Sequence, residues 1–409
     1  MFNRNRAYIA AAVSLIIITS IVTFTGTYIL LGLNKRYFIP GIELGTNVSA
    51  AQVRKFNNVR KLLKDFYYKE ADDNVLVEGA IEGMARSLDD PYTVYFTKEQ
   101  MQEFKEKASG SFTGIGVYIS VDPADHLITV ISPIKGAPAE QVGILPGDKI
   151  VKVDNKDVTG EADEDKVVNM IRGIEGTKVK ITVYRPSSNE FLDFDIVRQI
   201  IRIENVESEI IEGNIGYIKI IQFVEGVSAD FVEQLNNLTK TGIAGIIIDV
   251  RDNPGGIYQE VVAVCDALLP EGVIVYTEDR YGNKQYEYSD AKHIERPIVV
   301  LVNGYSASAS EILAGALKDH KKAVIVGKKT FGKGLVQNLI DLEDGSGLKL
   351  TVSRYFTPAG VCIQGEGIKP NVEVDLSKQD AEKSVHQVER QNDTQFLRAV
   401  ELLQPHKIQ

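Results

Sequence analysis

Ile298-Val299-Val300-Leu301-Val302, followed by Asn303-Gly304-Tyr305 and then Ser306-Ala307-Ser308-Ala309-Ser310-Glu311, decides the reading of the fold. Five consecutive β-branched or leucine residues predict a strand buried on both faces, as in a parallel sheet. Asn-Gly supplies the turn. The residues from Ser310 to Lys318 have the pattern of a helix. Similar units repeat around this one. Strands are expected at Tyr217–Ile221, Gly245–Val250, Ala323–Val326 and Leu348–Tyr355, and helices at Ala229–Leu238, Gln259–Leu269 and Thr394–Leu403. Apolar strands alternating with helices predict an α/β core over residues 199–378, with a helical segment over 379–409.

Upstream the pattern changes. From Phe112 to Phe194 short strands alternate with Gly/Pro turns: Gly114-Ile115-Gly116-Val117 opens the region, and Ala137-Pro138-Ala139 and Leu145-Pro146-Gly147-Asp148 follow. A second, β-rich domain is expected over residues 98–198. Before it, residues 50–97 read as amphipathic helices, with Val53, Leu62, Leu63, Phe66 and Tyr67 at helical spacing and then Val75, Leu76, Ala80, Ile81 and Met84. Asp89-Asp90-Pro91 breaks that pattern. Thr97-x-x-Gln100 is a capping box that starts another helix. Residues 7–34 are uncharged and apolar, long enough to cross a bilayer. Residues 1–36 are therefore expected to be a membrane anchor, with a cleaved signal as the alternative and the bulk of the chain outside the cytoplasm. The fold class expected is multidomain α/β: anchor helix, N-terminal helices, β-rich domain and α/β core.

The composition fits that picture. The chain has 409 residues, 44% hydrophobic and 25% charged, too long for one compact domain. A net charge of −10 argues against a nucleic-acid partner. The two cysteines, Cys265 and Cys362, lie in apolar stretches and read as core residues. No Cys/His cluster has metal-ligand spacing, so neither metal nor cofactor is expected.

A serine on a strand-to-helix turn is exposed beside helix-terminal N–H groups that can stabilise an oxyanion. It needs a base. His320 lies about three turns along the same helix, roughly 18 Å away at 1.5 Å per residue. Lys333, in Thr330-Phe331-Gly332-Lys333-Gly334-Leu335-Val336-Gln337, is the candidate. Lysine acts as a base only when neutral, so its pKa must fall from about 10.4 toward roughly 7, an environmental preference of about 5 kcal/mol. Burial supplies such a shift. Gln337 is placed to orient the amine.

Ser306-Ala307-Ser308-Ala309-Ser310-Glu311, Phe331-Gly332-Lys333-Gly334-x-Val336-Gln337 and Asp249-Val250-Arg251-Asp252-Asn253-Pro254-Gly255-Gly256 together resemble the signature of carboxyl-terminal processing proteases. The resemblance runs from about Val53 to Val374 and takes in Leu88-Asp89-Asp90-Pro91-Tyr92 and Gln364-Gly365-Glu366-Gly367. It implies a serine endopeptidase with Ser308 as nucleophile, Lys333 as base and Gln337 as third member. The oxyanion donors it implies are the Ala309 amide and one from Gly255 or Gly256. The β-rich region resembles a PDZ domain. Gly114, Ile115, Gly116 and Val117 would hold a terminal carboxylate, and a sheet edge would take an apolar C-terminal tail of a protein substrate as an added strand. In the resembled family an empty PDZ domain can obstruct the active site. Arg172 would then report on the docked peptide by pairing with a core carboxylate, unless it is a solvated surface arginine.

Two rival readings are weaker. Gly327-Lys328-Lys329-Thr330-Phe331-Gly332-Lys333-Gly334 nearly spells a phosphate-binding loop, but Gly334 stands where the Mg²⁺-binding hydroxyl belongs and no helix is expected after it. A non-catalytic PDZ scaffold or chaperone would not need Lys333 and Gln337. Phe396, Leu397, Val400 and Leu403 form an apolar stripe. It would pair a homodimer, as the resemblance implies, or pack within its own domain.

Overall fold

The computed structural model describes residues 49–161, 164–377 and 385–404, with the side chain of residue 386 left out. The chain divides into two compact units, split between Ala80 and Ile81 inside the helix Asp73–Arg86. The expected anchor over residues 7–34 lies outside the described residues. Among the described residues no helix is long and apolar enough to cross a membrane.

The first unit contains the helix Ala50–Phe66, begun by a capping box in which the Ser49 amide donates to Gln52 Oε1 at 2.7 Å. The second unit holds everything else of note. Its first ordered turn is the proline-broken segment after Arg86, followed by the strand Val94–Phe96. The helix Lys98–Ser109 then starts on the predicted capping box, with the Thr97 amide donating to Gln100 Oε1 at 3.0 Å.

The β-rich domain is a sheet in the order Val117–Val121, Ile128–Pro133, Lys149–Val153, Lys178–Arg185, Glu190–Val197, with Lys156–Asp157 beside the third strand. The short helix Pro138–Gln141 and the helix Glu164–Ile171 accompany it. Its core is aliphatic, with Ile115, Ile150, Val167, Ile181 and Ile196 all buried. A two-stranded ribbon, Ser111–Gly114 against Gln199–Arg202, forms where the chain enters and leaves. Among the described residues the strand Val117–Val121 pairs on one side only, leaving its other edge free.

The α/β core is a six-stranded sheet in the order Val206–Ile211, Ile215–Ile220, Gly245–Asp249, Ile298–Val302, Ala323–Gly327, Val372–Glu373. Only its first pair is antiparallel. The central strand shows why an unbroken apolar run is required. Ile298, Val300 and Val302 face the helices Val227–Lys240, Tyr258–Asp266 and Ala309–Asp319, while Val299 and Leu301 face the helix Thr394–Leu403. Each such buried side chain contributes about 1.5–3 kcal/mol. A second, antiparallel sheet links Val94–Phe96, Gly347–Phe356, Gly272–Asp279 and Lys284–Ser289, with Leu335–Asp341 paired to Gly347–Phe356.

Of the two readings of the terminal stripe, packing within its own domain is the one seen: Phe396 is buried and Val400 and Leu403 pack against the sheet, leaving Leu397 exposed. One expectation is corrected, that both cysteines are core residues. Cys265 is buried, but Cys362 is only half-buried because it sits in a bridge at the end of the strand Gly347–Phe356.

Candidate active site

The strand Ile298–Val302 delivers the chain to a tight turn held from both sides. Ser306 Oγ donates to the Val250 carbonyl at 2.8 Å, the Ala307 amide to the Asn253 carbonyl at 3.0 Å, and Ser310 Oγ to the same carbonyl at 3.0 Å. Ser308 is left at the N-terminus of the helix Ala309–Asp319 with φ 54° and ψ −113°. That conformation costs a non-glycine residue about 1–3 kcal/mol and persists only where its surroundings enforce it. Its effect is to present a half-buried hydroxyl beside the first free amides of the helix.

The facing turn is Asp249 to Gly256. Gly255, at φ 99°, packs so closely that a Cβ would lie 2.8 Å from Ser308 Cβ and 2.9 Å from the Ala309 nitrogen. The Gly255 amide is engaged by Asn253 Oδ1 at 2.9 Å. Gly256, at φ 146°, lies against the Phe223 backbone. Among the described residues the Gly256 and Ala309 amides donate to no protein group. Of the two glycines left open by the sequence, Gly256 is therefore the one with a free donor.

Glu311 was named in the sequence motif without a role. It is fully buried. Its Oε1 accepts from Thr330 Oγ1 at 2.5 Å and the Gly332 amide at 2.7 Å, and its Oε2 from the Lys333 amide at 2.8 Å and the Ser308 amide at 2.9 Å. One carboxylate thus joins the backbone of the candidate nucleophile to that of the candidate base. This also disposes of the phosphate-loop reading: the amides of the glycine–lysine run already cradle an anion, and it is Glu311.

Lys333 is half-buried, and burial pushes its ammonium below the usual lysine range. The positive charge of Lys349 adds to the shift, opposed by Glu311 and Asp90. Its Nζ lies 4.8 Å from the centre of the Tyr92 ring. Among the described residues no hydrogen bond joins it to the Ser308 hydroxyl. Gln337 donates instead to the Leu335 carbonyl at 3.1 Å, beside a bulge between Val336 and Gln337, and does not orient the amine here. Tyr355, which sequence reasoning missed, donates its hydroxyl to the Lys333 carbonyl. Burial raises its phenol well above the ordinary range, and it sits next to Ser308. Nothing but its place in an alternating strand marked it.

In the β-rich domain Gly114, Ile115 and Gly116 are buried and Val117 is half-buried. The Ile115 carbonyl accepts from the Ala139 amide at 2.9 Å, and Gly116, at φ 75°, closes against Ala137. Arg172 lies 3.9 Å from Glu106 and over the Phe112 ring, so its partner carboxylate is on the helix Lys98–Ser109. On the same helix Lys105 pairs with Asp341, at the end of the strand Leu335–Asp341.

An α/β sheet with a strained serine at a strand-to-helix turn, preceded by a peptide-binding type of β-domain, defines a hydrolytic enzyme of the serine class. The chain is similar to known proteins. A family model described as Peptidase family S41 matches residues 214–374, the Activating protease CtpB N-terminal domain matches 22–100, and a PDZ domain matches 129–185. The carboxy-terminal processing protease CtpA of Bacillus subtilis is 40% identical over 324 residues, 79% of this chain and 69% of that protein. A carboxy-terminal-processing protease of Bartonella bacilliformis is 39% identical over 332 residues, 79% and 75%. Among solved structures, the photosystem II D1 C-terminal processing protease aligns with a TM-score of 0.48 and 32% identity, covering 80% of this chain and 94% of that one. The chain belongs to peptidase family S41, as a carboxy-terminal processing serine peptidase with a PDZ domain.

Proposed function

We propose that this enzyme is an exported endopeptidase that takes protein substrates by apolar C-terminal tails and cleaves them with Ser308 and Lys333. The observation that carries the reading is the single buried carboxylate of Glu311, which holds the Ser308 and Lys333 amides within 2.9 Å. Neutral Lys333 takes the hydroxyl proton as Ser308 attacks the scissile carbonyl. The Gly256 and Ala309 amides receive the oxyanion. Lysine returns the proton to the leaving amine, and water then releases the acyl group. Gln337 swings from Leu335 to steady the lysine in the working state.

The PDZ domain both docks and gates. Its free edge strand, Val117–Val121, accepts the tail, and the loop from Gly114 to Val117 takes the terminal carboxylate. Arg172, Glu106, Lys105 and Asp341 form a line of charges from this domain to the strand that carries Gln337. A docked tail shifts the lysine side of the site by favouring its working arrangement. The apolar run over residues 7–34 anchors the enzyme with its catalytic domain outside the cytoplasm. Homodimerisation belongs to the proposal on the family resemblance alone.

The test is cleavage of a denatured casein-like substrate. Ser308→Ala and Lys333→Arg should each lose at least about 10⁴-fold while staying folded, because a guanidinium stays protonated. Substantial activity in Lys333→Arg would remove lysine as the base. For the gate, deletion of residues 111–185 should abolish the response to added tail peptide. A core that cleaves short peptides like the intact enzyme, with and without the tail peptide, would reduce the PDZ domain to docking. Membrane fractionation with N-terminal sequencing decides the anchor, and sedimentation decides the dimer.

A further inference from the structure

The turn that packs Gly255 against Ser308, with Gly256 next to it, contains an arginine that the proposed mechanism does not use. Arg251 is 2% exposed, and its Nε and one terminal nitrogen donate to Asp249, two residues back in the same segment, at 2.6–3.1 Å. A partner so close in sequence can hold the arginine only against its own strand. The other terminal nitrogen donates to Asp393 at 2.9 Å and Gln395 at 3.1 Å, residues that begin the helix Thr394–Leu403. Asp393 and Gln395 are themselves 3% and 2% exposed. A guanidinium taken out of water needs every donor matched, and a second carboxylate from a distant segment fixes its position in space.

The same terminal segment grips the next residue of the turn. The Val385 amide donates to Asp252 Oδ2 at 3.0 Å, while Asn303 Nδ2 donates to Asp252 Oδ1 at 2.7 Å. Between this grip and Gly255 lies Asn253. Its side chain bonds the Ile220 carbonyl and the Gly255 amide, and its carbonyl accepts from Ala307 and Ser310. Any shift of Arg251 is thus passed to both sides of Ser308.

We propose that Asp393 is a positioning residue for the reaction: its carboxylate, at the start of the last helix, fixes Arg251 and through it the turn that carries Gly256. The inference rests on Ser308 and the Gly256 amide acting as described above. It gives the terminal helix a task in catalysis that its apolar stripe alone would not.

The experiment compares Asp393→Asn and Asp393→Ser in the full chain. Both residues cap helices, so the helix itself is kept. Serine is too short to reach Arg251, and asparagine reaches it without charge. In peptide hydrolysis well below the melting temperature, Asp393→Ser should lose about tenfold or more in kcat with KM within about twofold, because a donor displaced by a fraction of an ångström stops serving the transition state. Labelling of Ser308 by a fluorophosphonate should slow in parallel, with Asp393→Asn between the two. A folded Asp393→Ser enzyme with kcat within about twofold of wild type overturns the proposal. Should that variant fail to fold, hydrogen exchange over residues 252–257 in Asp393→Asn replaces it. Faster exchange there than in wild type supports the proposal, and unchanged protection overturns it. That readout needs no turnover, so a wild-type enzyme without hydrolytic activity would defeat the Ser308–Lys333 reading while leaving this inference separately decided.

Discussion

The two halves of the candidate active site are built differently. On the serine side the backbone around Ser308 is tied down except for the Ala309 and Gly256 amides: Ser306 and Ser310 are buried and bonded, Asn253 links strand and turn, and the strained Ser308 amide ends on Glu311. On the lysine side only the backbone is fixed. The Lys333 amine lies over Tyr92, Gln337 is turned back to Leu335, and the strand that carries Gln337 is bulged and largely exposed. On the proposed mechanism, strain and precision are stored where the attacking atom must be ready at once. The base, whose charge state needs changing, is left adjustable. Under the proposed gating this division suits a regulated peptidase, because withholding the lysine would be enough to keep the serine idle.

The largest test of that contrast is Glu311→Gln. The amide has one oxygen where the carboxylate has two, so its NH₂ must face two of the four donors. Each unmatched buried donor costs about 1–3 kcal/mol. A loss of about 10²-fold or more in kcat is expected together with a lower melting temperature. Normal kcat in this variant would mean that the serine side is not held as described.

Gln337→Ala comes next. On the proposed mechanism its contact with the lysine forms only in the working state, and here it makes one half-buried bond to the Leu335 carbonyl, so kcat should drop about tenfold to a hundredfold while thermal stability changes by less than about 0.5 kcal/mol. A strong loss of stability instead would show that the lysine side is as rigid as the serine side.

The smallest effect concerns pH. Burial and the nearby Lys349 lower the Lys333 pKa, while Glu311 and Asp90 oppose them. In the proposed mechanism the active form is the neutral amine, so kcat/KM should rise with pH through the depressed pKa and level above it. Removing one neighbouring cation makes protonated Lys333 less unfavourable. Lys349→Met should therefore move the rising limb to higher pH, by up to about one unit. A shift to lower pH would contradict the charge arrangement around Lys333, which also includes Tyr92 and Tyr355.

Much of this was legible in the chain itself. The run Ile298–Val302 could only be a strand buried twice, and Thr97-x-x-Gln100 marked its helix to the residue. The motif glycines and Ser308 fell at the turns expected of them. Among those that escaped were the strands Glu190–Val197, Gly272–Asp279 and Lys284–Ser289, whose residues are mixed in polarity; in the first and last, one face is largely exposed. Glu311 escaped as a working residue because an acidic side chain in the first turn of a helix is ordinary in sequence. Only its complete burial among four donors sets it apart.

The sequence by itself determined the order of modules, the α/β core, the serine turn and the lysine loop. Those depend on local periodicity, turn chemistry and motif spacing, which are written along the chain. The tertiary structure alone decided that Glu311 joins Ser308 to Lys333, that Gly256 rather than Gly255 keeps a free amide, and that Asp393 reaches back to Arg251. Each is a match between donors and acceptors remote in sequence, 142 residues apart for Arg251 and Asp393. Such matches are enforced by the cost of burying unpaired polar groups, which no local pattern records.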